Sequence, residues 1–333
     1  MPKRAVWKPA LPFSFSRAFP PCVLLENTVA TPLKILAYFL ATLLLGATLA
    51  PLLFWAGHAS GSTYLRETDF QRYFDRAILL SALLLLWPAM RALHFSGWRD
   101  FELRRDPARW QHLVGGFLLA CGLLWLLGGC GIVAGFFRVR WSALTPGALG
   151  SIALSAIAVA CLEEMFFRGA LFGLARRAAS DKMALVFIAA VFAILHFLKP
   201  PVGVVASEVV TWSSGFVALT RVFWQFGQPA LLAAGFTTLF LVGLILGWAR
   251  WQTGALWAGI GLHAGWIVGL KTFAKITRRN GSDAGWPWFG ENLYFGLGPV
   301  FTLLITGAIV WLWLRRGIFN TEAEEAEAPR QQR

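Results

Sequence analysis

The sequence contains few charged residues for its size. Only 14% of its 333 residues are Asp, Glu, Lys or Arg, whereas 57% are hydrophobic. Soluble domains carry roughly 25% charged residues, so this chain has too few charges to cover a water-exposed surface. The deficit argues against a soluble enzyme and a disordered chain. It predicts an all-α polytopic membrane protein whose apolar surface faces lipid.

Cysteines and acidic residues are also scarce. The four cysteines are too few for a disulfide framework and are predicted to be packing thiols. The excess of basic over acidic residues gives a net charge of +13. Such a charge is found in nucleic-acid-binding proteins, but Lys and Arg also accumulate on the cytoplasmic side of membrane proteins. Trp, with 17 residues, collects at lipid headgroups, so we expect membrane lipid as a partner and no nucleic acid.

Eight apolar runs are long enough to be considered as membrane-spanning helices. They lie at about 33–57, 77–96, 113–137, 147–175, 183–198, 229–249, 252–273 and 294–314. The predicted organisation is a basic, aromatic leader at 1–31, a transmembrane bundle of about eight helices at 32–317 and an acidic, disordered tail at 318–333.

The connections between these runs give an orientation. More Lys and Arg residues fall on the side of the leader, of the 176–182 turn and of the C-terminal end than on the opposite side. This bias predicts that both termini are cytoplasmic. Short connections and the absence of organelle signals favour a bacterial inner membrane. Segment 199–228 is apolar and Trp-rich, which predicts an interfacial or re-entrant element.

The fourth run contains charges that membrane insertion disfavours. Glu163 and Glu164 are adjacent, and Arg168 follows, although each charge costs at least about 2.5–3.5 kcal/mol at mid-membrane. Glu164 and Arg168 are four residues apart and can pair on one helix face. Glu163 points about 100° away and lacks such a partner, which suits a general base. The structural alternative is that all three form one ion-pair cluster.

Two histidines in other runs are predicted to lie at the depth of Glu163. His196 and Glu163 are both roughly 20 Å from the 176–182 turn along their helices, and His263 is roughly 17 Å from the same side. We therefore expect the three side chains to form one site. Glycines around His263 would let neighbouring backbones approach closely; they are Gly259, Gly261 and Gly265.

A carboxylate and two imidazoles suit hydrolysis inside the membrane. In one reading Glu activates water, while one His assists and the other stabilises the oxyanion. In the other, Glu163, His196 and His263 bind zinc and leave an open position for water. Zinc is the one candidate cofactor, and only for a metalloenzyme. The HExxH pattern of zincins is absent.

These residues resemble the motifs of a known family. Glu163-Glu164-x-x-x-Arg168, Phe192-x-x-x-His196 and His263 are similar to the three motifs of the CPBP (CAAX protease and bacteriocin-processing, Abi) intramembrane endopeptidases, relatives of Rce1-type proteases. The motif-bearing region is about 147–275.

The resemblance implies an eight-helix bundle with a cavity opening toward the cytoplasm, and cleavage of a membrane-associated peptide or protein near that face. It also implies that Glu163 activates water with help from His196. Glu164 and Arg168 would hold the site together, and His263 would contribute to the oxyanion hole.

One position departs from the family pattern. The third motif usually has Asn, or another polar residue, four positions after the histidine, but here Ile267 occupies that position. Loss of one oxyanion donor costs about 2.7–4 kcal/mol. Substitutes could come from 199–228 if that segment folds over the site: Thr211, Ser213 and Ser214.

Two functions without proteolysis are the alternatives. The chain could be a non-catalytic membrane scaffold or immunity-type protein that keeps the fold, and Ile267 favours this reading. It could also be a proton-coupled transporter, since Glu and His form proton relays. The transporter is the weaker alternative, because the sequence shows no internal repeat.

Overall fold

The computed structural model of the protein describes residues 22–93, 105–281, 285, 287–290 and 292–327. Within these ranges the side chains at 22–32, 177–178, 230–231 and 316–327 are not described. Most of the predicted leader and the last six residues of the predicted tail therefore lie outside the described residues.

Long helices dominate the described residues. They are α1 (Cys22–Ala59), α3 (Phe70–Ala92), α4 (Arg109–Val133), α5 (Pro146–Glu164), α7 (Asp181–Leu195), α9 (Pro229–Thr253), α10 (Trp257–Ile276) and α11 (Leu297–Glu327). A π-helical segment, Met165–Leu171, continues α5 into α6 (Phe172–Ala178). The shorter helices are α2 (Thr63–Arg66) and α8 (Ser214–Thr220). Strands β1 (Phe137–Val139) and β2 (Thr277–Arg279) pair antiparallel.

The predicted all-α polytopic membrane fold is confirmed. Among the described residues, six helical stretches are long and apolar enough to cross a membrane. They lie at Leu33–Ala59, Phe70–Ala92, Arg109–Val133, Pro146–Arg176, Leu232–Thr253 and Leu297–Arg315. The predicted count of eight is not confirmed, because α7 and α10 are not among them. Helix α7 has only 15 residues, about 22 Å, which is less than the roughly 30 Å of hydrocarbon.

Helix α10 is largely enclosed by protein. It packs against α4, α5 and α9, and most residues from Ala258 to Gly269 are buried. The predicted close approach of neighbouring backbones is confirmed at Gly261 and Gly265, whereas Gly259 leaves room for the side chain of Glu164. A Cβ on Gly259 would lie 2.8 Å from Oε2 of Glu164, and one on Gly265 would lie 2.5 Å from the carbonyl oxygen of Phe117 on α4. A Cβ on Gly261 would collide with the carbonyl of Leu113.

Both ends of the predicted bundle differ from the structure. Helix α1 begins at Cys22, so residues 22–31 of the predicted leader are helical. Helix α11 continues to Glu327, so residues 318–327 of the predicted disordered tail are helical as well. The tail residues explain the second difference, because Ala and Glu are strong helix formers and no proline lies between 315 and 327.

Segment 199–228 packs beside the first two long helices. Its helix α8 lies against the middle of α1, where Gly215 is so close to Ala47 that a Cβ would collide with the Ala47 carbonyl. Ala218 and Val222 are buried in a cluster with residues of α1 and α3. This helix therefore packs on the bundle rather than forming a simple exposed loop. Its interfacial or re-entrant position in the membrane stays a prediction.

Close contact between α4 and α10 provides a first prediction. The substitution Gly265→Ala should lower stability by about 1–3 kcal/mol, because the added methyl group overlaps a backbone carbonyl that can move only with α4. The matched control is Gly122→Ala on α4, where a Cβ would meet nothing within 4 Å. Thermal unfolding in detergent measures both, and equal midpoints would contradict this account of the packing.

Candidate active site

The predicted site residues come from three helices that meet in the bundle. Glu163 and Glu164 end α5, and Arg168 lies in the π-helical segment that follows. His196 is the residue after the last turn of α7, and His263 lies on α10. Single π-helical turns inside α-helices are frequently found at functional sites. The wider turn here starts immediately after the two carboxylates.

Glu164 is at the centre of a buried ionic network. Its Oε1 accepts hydrogen bonds from Nη1 of Arg168 at 2.9 Å and from Nδ1 of His263 at 3.0 Å. The side chains of Glu164 and Arg168 are 0% and 1% exposed. Arg168 also donates to the carbonyl of Gly243 on α9 and has its guanidinium 4.4 Å from the ring centre of Phe192. The i, i+4 pair predicted from the sequence is present.

Arg250 completes the network and was not identified from the sequence. Its side chain is buried, and its Nε donates to the carbonyl of Arg168 at 3.3 Å. In the sequence, Arg250 resembles any charged residue at the end of an apolar run. It lies three residues before the end of α9, a position that does not indicate burial.

Glu163 lies outside this ionic network and faces both histidines. Its Oε2 is 3.7 Å from Nε2 of His196 and 3.8 Å from Nε2 of His263. Within the described residues, that oxygen accepts no hydrogen bond although it is buried. The Glu163 side chain as a whole is 24% exposed, whereas that of Glu164 is fully buried. The structure thus brings Glu163, His196 and His263 together, as the helix depths predict.

Hydrogen bonding assigns the tautomers of the two imidazoles. Nδ1 of His196 is 2.8 Å from the carbonyl oxygen of Phe192, and a carbonyl only accepts. Nδ1 of His263 faces the carboxylate of Glu164, which also accepts in its ion pair with Arg168. Both Nδ1 atoms must therefore carry a proton. In a neutral imidazole Nε2 is then an unprotonated acceptor, and in both histidines Nε2 is the atom that faces Glu163.

Comparison with known protein families finds one match. Residues 145–268 match the family described as type II CAAX prenyl endopeptidase Rce1-like. This part of the chain is similar to that family. The matched Rce1-like region agrees with the predicted motif region, about 147–275, and contains all five predicted site residues. Neither the curated proteins nor the solved structures give a significant match to the chain.

A cavity of about 190 Å³ adjoins the two histidines of the Rce1-like region. Most of its lining is apolar, and Ile267 is part of it, so the position of the expected Asn faces the cavity with a hydrocarbon side chain. Three polar residues in the lining were not predicted: Thr238, Tyr294 and Thr302. No sequence signal marks them, because they belong to α9, to the connection before α11 and to α11, which carry no motif.

The predicted substitute donors do not reach this cavity. Ser214 accepts a hydrogen bond from the backbone of Thr211, and the Thr211 hydroxyl is within 3.3 Å of the hydroxyls of Ser213 and Ser214. Trp212 between them packs edge-on against Trp55 of α1. The three hydroxyls bond to one another instead of entering the lining, because α8 packs on α1.

The position of the cavity conflicts with the expectation that it opens toward the cytoplasm. Its lining includes Tyr294 and Pro299, which lie near the start of α11, at the end opposite the 176–182 turn. The 176–182 turn and the chain termini are on the same side of the bundle, and the cavity is on the other side. The two predictions, a cavity near the cytoplasmic face and termini in the cytoplasm, are therefore incompatible. The implied cytoplasmic cavity holds only if the predicted orientation is reversed.

The donor set was also tested as a metal site. Across the described ranges, no group of three or more His, Cys, Asp and Glu side chains is arranged to hold a metal ion. A carboxylate and two imidazole nitrogens are ligand types that zinc accepts. Their arrangement around Glu163, however, is not that of a metal site. Zinc binding by Glu163, His196 and His263 stays a prediction.

The buried pair gives a second prediction. The substitution Arg168→Met should lower stability by about 3–5 kcal/mol, because it leaves the Glu164 carboxylate buried without its cation. The matched control is Arg176→Met, which removes the partly exposed pair with Asp181 and should cost no more than about 1 kcal/mol. Denaturant unfolding in micelles compares them. A loss of similar size in both variants would show that the buried network is not special.

Proposed function

We propose that this multi-pass membrane protein is an intramembrane endopeptidase of the CAAX type. It hydrolyses a peptide bond in a membrane-associated protein or peptide. The family description names a prenyl endopeptidase, which supports proteolysis in general. The observation that carries the mechanism is the position of Glu163, whose unbonded Oε2 faces the Nε2 atoms of His196 and His263.

In the proposed reaction Glu163 is the base that activates water. The distances of 3.7 and 3.8 Å are too long for direct hydrogen bonds, and one water can contact both partners at about 2.8 Å. Nε2 of His196 accepts a hydrogen bond from this water and orients it. Glu163 takes a proton as the water oxygen bonds to the carbonyl carbon. It then gives that proton to the amine that leaves when the C–N bond breaks.

The oxyanion requires a donor, and His263 can supply one only when doubly protonated. Its Nδ1–H is engaged with Glu164, so an additional proton on Nε2 would create the donor. Glu164 and Arg168 are therefore proposed as positioning residues, and His263 as the residue that stabilises the oxyanion.

A second candidate function is a non-catalytic scaffold. It is favoured by Ile267, which lines the cavity where the family pattern has a polar residue. A scaffold needs the packed ionic network but not an activated water. Glu163 is outside that network. A substitution of Glu163 should therefore abolish the activity of an endopeptidase but leave a scaffold unaffected.

The substitution Glu163→Gln should lower the rate of peptide cleavage at least about a hundredfold, since the amide cannot accept the proton of water. Its unfolding midpoint should stay close to that of the wild type. The control is Glu208→Gln, which changes an exposed carboxylate on segment 199–228. Cleavage of a membrane-peptide library, followed by mass spectrometry, measures the rate. A wild-type protein that cleaves nothing would favour the scaffold, and a variant that cleaves normally would exclude Glu163 as the base.

The same cleavage assay tests the zinc prediction. Loss of activity with a chelator, together with one zinc ion per chain by metal analysis, would favour a metalloprotease. Activity in metal-free protein would favour the glutamate mechanism proposed here.

We also propose a bacterial inner-membrane location with both termini in the cytoplasm, as the distribution of Lys and Arg favours. This orientation places the cavity toward the extracytoplasmic face. In a variant without native cysteines, Ser142→Cys should then react with an impermeant maleimide on intact cells, whereas Lys182→Cys should not. Both residues are exposed, and they lie at opposite ends of the bundle. The reverse labelling pattern would place the termini outside and the cavity toward the cytoplasm.

A further inference from the structure

The two-stranded sheet β1–β2 carries two arginines directly opposite each other. Its register pairs Arg138 of β1 with Arg278 of β2. Backbone hydrogen bonds close the ladder on both sides of this pair, from Arg140 to Ile276 and from Asn280 to Phe136. Residues directly opposite each other in an antiparallel pair have Cβ atoms about 4.5–5.5 Å apart. The fold therefore holds Arg138 and Arg278, called the arginine pair below, side by side on one face of the sheet.

The other face of the sheet is packed into the bundle. Phe137 is 4% exposed and belongs to a buried cluster with Phe273 of α10. A Cβ on Gly131 of α4 would lie 2.9 Å from the Phe137 ring, so the ring rests on that helix. The side-chain amide of Asn280 donates to the carbonyl of Gly135 at 2.9 Å. Because successive strand residues point to opposite faces, the buried Phe137 fixes the arginine pair on the outer face.

The arginine pair has no internal counterion. Both side chains are exposed. Within the described part of the chain, neither guanidinium has a carboxylate oxygen within 4.0 Å. Arg140 and Lys275 are also exposed and add two positive charges beside the pair. Like charges directly opposite each other destabilise a sheet, so an anion bound between the two guanidinium groups would remove a repulsion that the chain itself leaves in place.

The surroundings of the sheet indicate which anion fits. The sheet lies where α4, one of the membrane-spanning candidates, ends. Val133, the last residue of α4, is 89% exposed, and Trp141, two residues after β1, is 66% exposed. Exposed Trp at the end of an apolar span is typical of the lipid headgroup level. Apolar side chains beside a cationic face fit a lipid, which has both acyl chains and a charged headgroup, better than an acidic protein segment.

An interfacial arginine can also extend to water without binding anything. That explanation accounts for single arginines at the ends of membrane helices. It does not account for two arginines placed in register on a fixed backbone with no acid between them. A planar guanidinium matches a phosphate group through two parallel hydrogen bonds, and two adjacent guanidinium groups present a doubled version of that contact.

We propose that Arg138 and Arg278 together bind the phosphate of an anionic phospholipid. The acyl chains of this lipid lie against the apolar surface that includes Val133. A zwitterionic lipid has the same phosphate, but its ammonium group is repelled by Arg140 and Lys275, so the site prefers a headgroup with net negative charge. This site is separate from the candidate active site and does not rest on the proposed function.

Native mass spectrometry of the full-length protein in a nonionic detergent tests the proposal. The probes are phosphatidylglycerol and phosphatidylcholine with identical acyl chains. Wild-type protein should bind phosphatidylglycerol more tightly. The double variant Arg138→Gln, Arg278→Gln should weaken that binding about thirtyfold, about fivefold for each basic residue removed from an anionic lipid surface. Its unfolding midpoint in lipid-free detergent should stay close to that of the wild type, because both side chains are exposed.

The matched control is the double variant Arg66→Gln, Arg72→Gln. It removes the same charge from two exposed arginines at the same end of the bundle, near the start of α3, and should keep most of the affinity for phosphatidylglycerol. An equal loss in both double variants would show attraction by net charge alone and overturn the proposal. Equal binding of the two lipids, or unchanged binding in the Arg138→Gln, Arg278→Gln variant, would overturn it as well.

A competition experiment separates a lipid headgroup from a free anion. Inorganic phosphate in excess over the lipid should leave phosphatidylglycerol bound, because it cannot replace the contacts of the acyl chains. Displacement of the lipid by inorganic phosphate would show that the arginine pair is a site for soluble anions, and the lipid assignment would fail.

Discussion

The burial of Arg168 with Glu164 is the constraint on which the rest of the site depends. Removing both charges from water costs several kcal/mol per ion, and the cost is offset only when good geometry and further hydrogen bonds surround the pair. Here the additional partners come from two other helices, the Gly243 carbonyl on α9 and His263 on α10. The pair can be ionised only when α5, α9 and α10 are packed together, so site assembly and helix packing are one event.

Glycine makes that packing possible at the positions nearest the pair. A side chain at Gly243 would overlap α7, since its Cβ would lie 2.8 Å from Cα of Ala189. At Gly259 the nearest atom would be the Glu164 carboxylate. The small residues thus allow three helices to approach a buried charge directly through their backbones, which is how helices associate in a membrane without a hydrophobic driving force between them.

Two adjacent glutamates consequently have different roles. A helix turns about 100° per residue, so Glu164 points into the ionic network and Glu163 points toward the histidines and the solvent-accessible side. Glu164 is fully buried, and its Oε1 is held by Arg168 and His263. The Glu163 side chain is 24% exposed and has no such ion pair, so water can reach it. The two adjacent glutamates look redundant in the sequence. In the structure, Glu164 positions the site and Glu163 is available for its chemistry.

Helix spacing and depth were sufficient to predict this part of the structure. Glu163, His196 and His263 could be placed together because their helices share one reference level, the 176–182 turn and its side of the membrane. The lining of the cavity could not be predicted, since it includes Leu293, which lies outside the predicted spans. Helix α11 was expected to end too early, because acidity was taken as disorder although Ala and Glu favour helix.

The short length of α7 connects these observations. The helix ends at Leu195, and its length leaves it too short to cross the hydrocarbon, so His196 begins irregular backbone at the depth of Glu163. Irregular backbone at membrane depth is tolerated only where protein buries it or where it lines a water-filled cavity. Part of segment 199–228 meets the first condition by packing on α1 and α3. His196 is 26% exposed and lines the cavity, which meets the second. The early end of α7 therefore has a physical consequence: it gives water access to the imidazole beside Glu163, as hydrolysis requires.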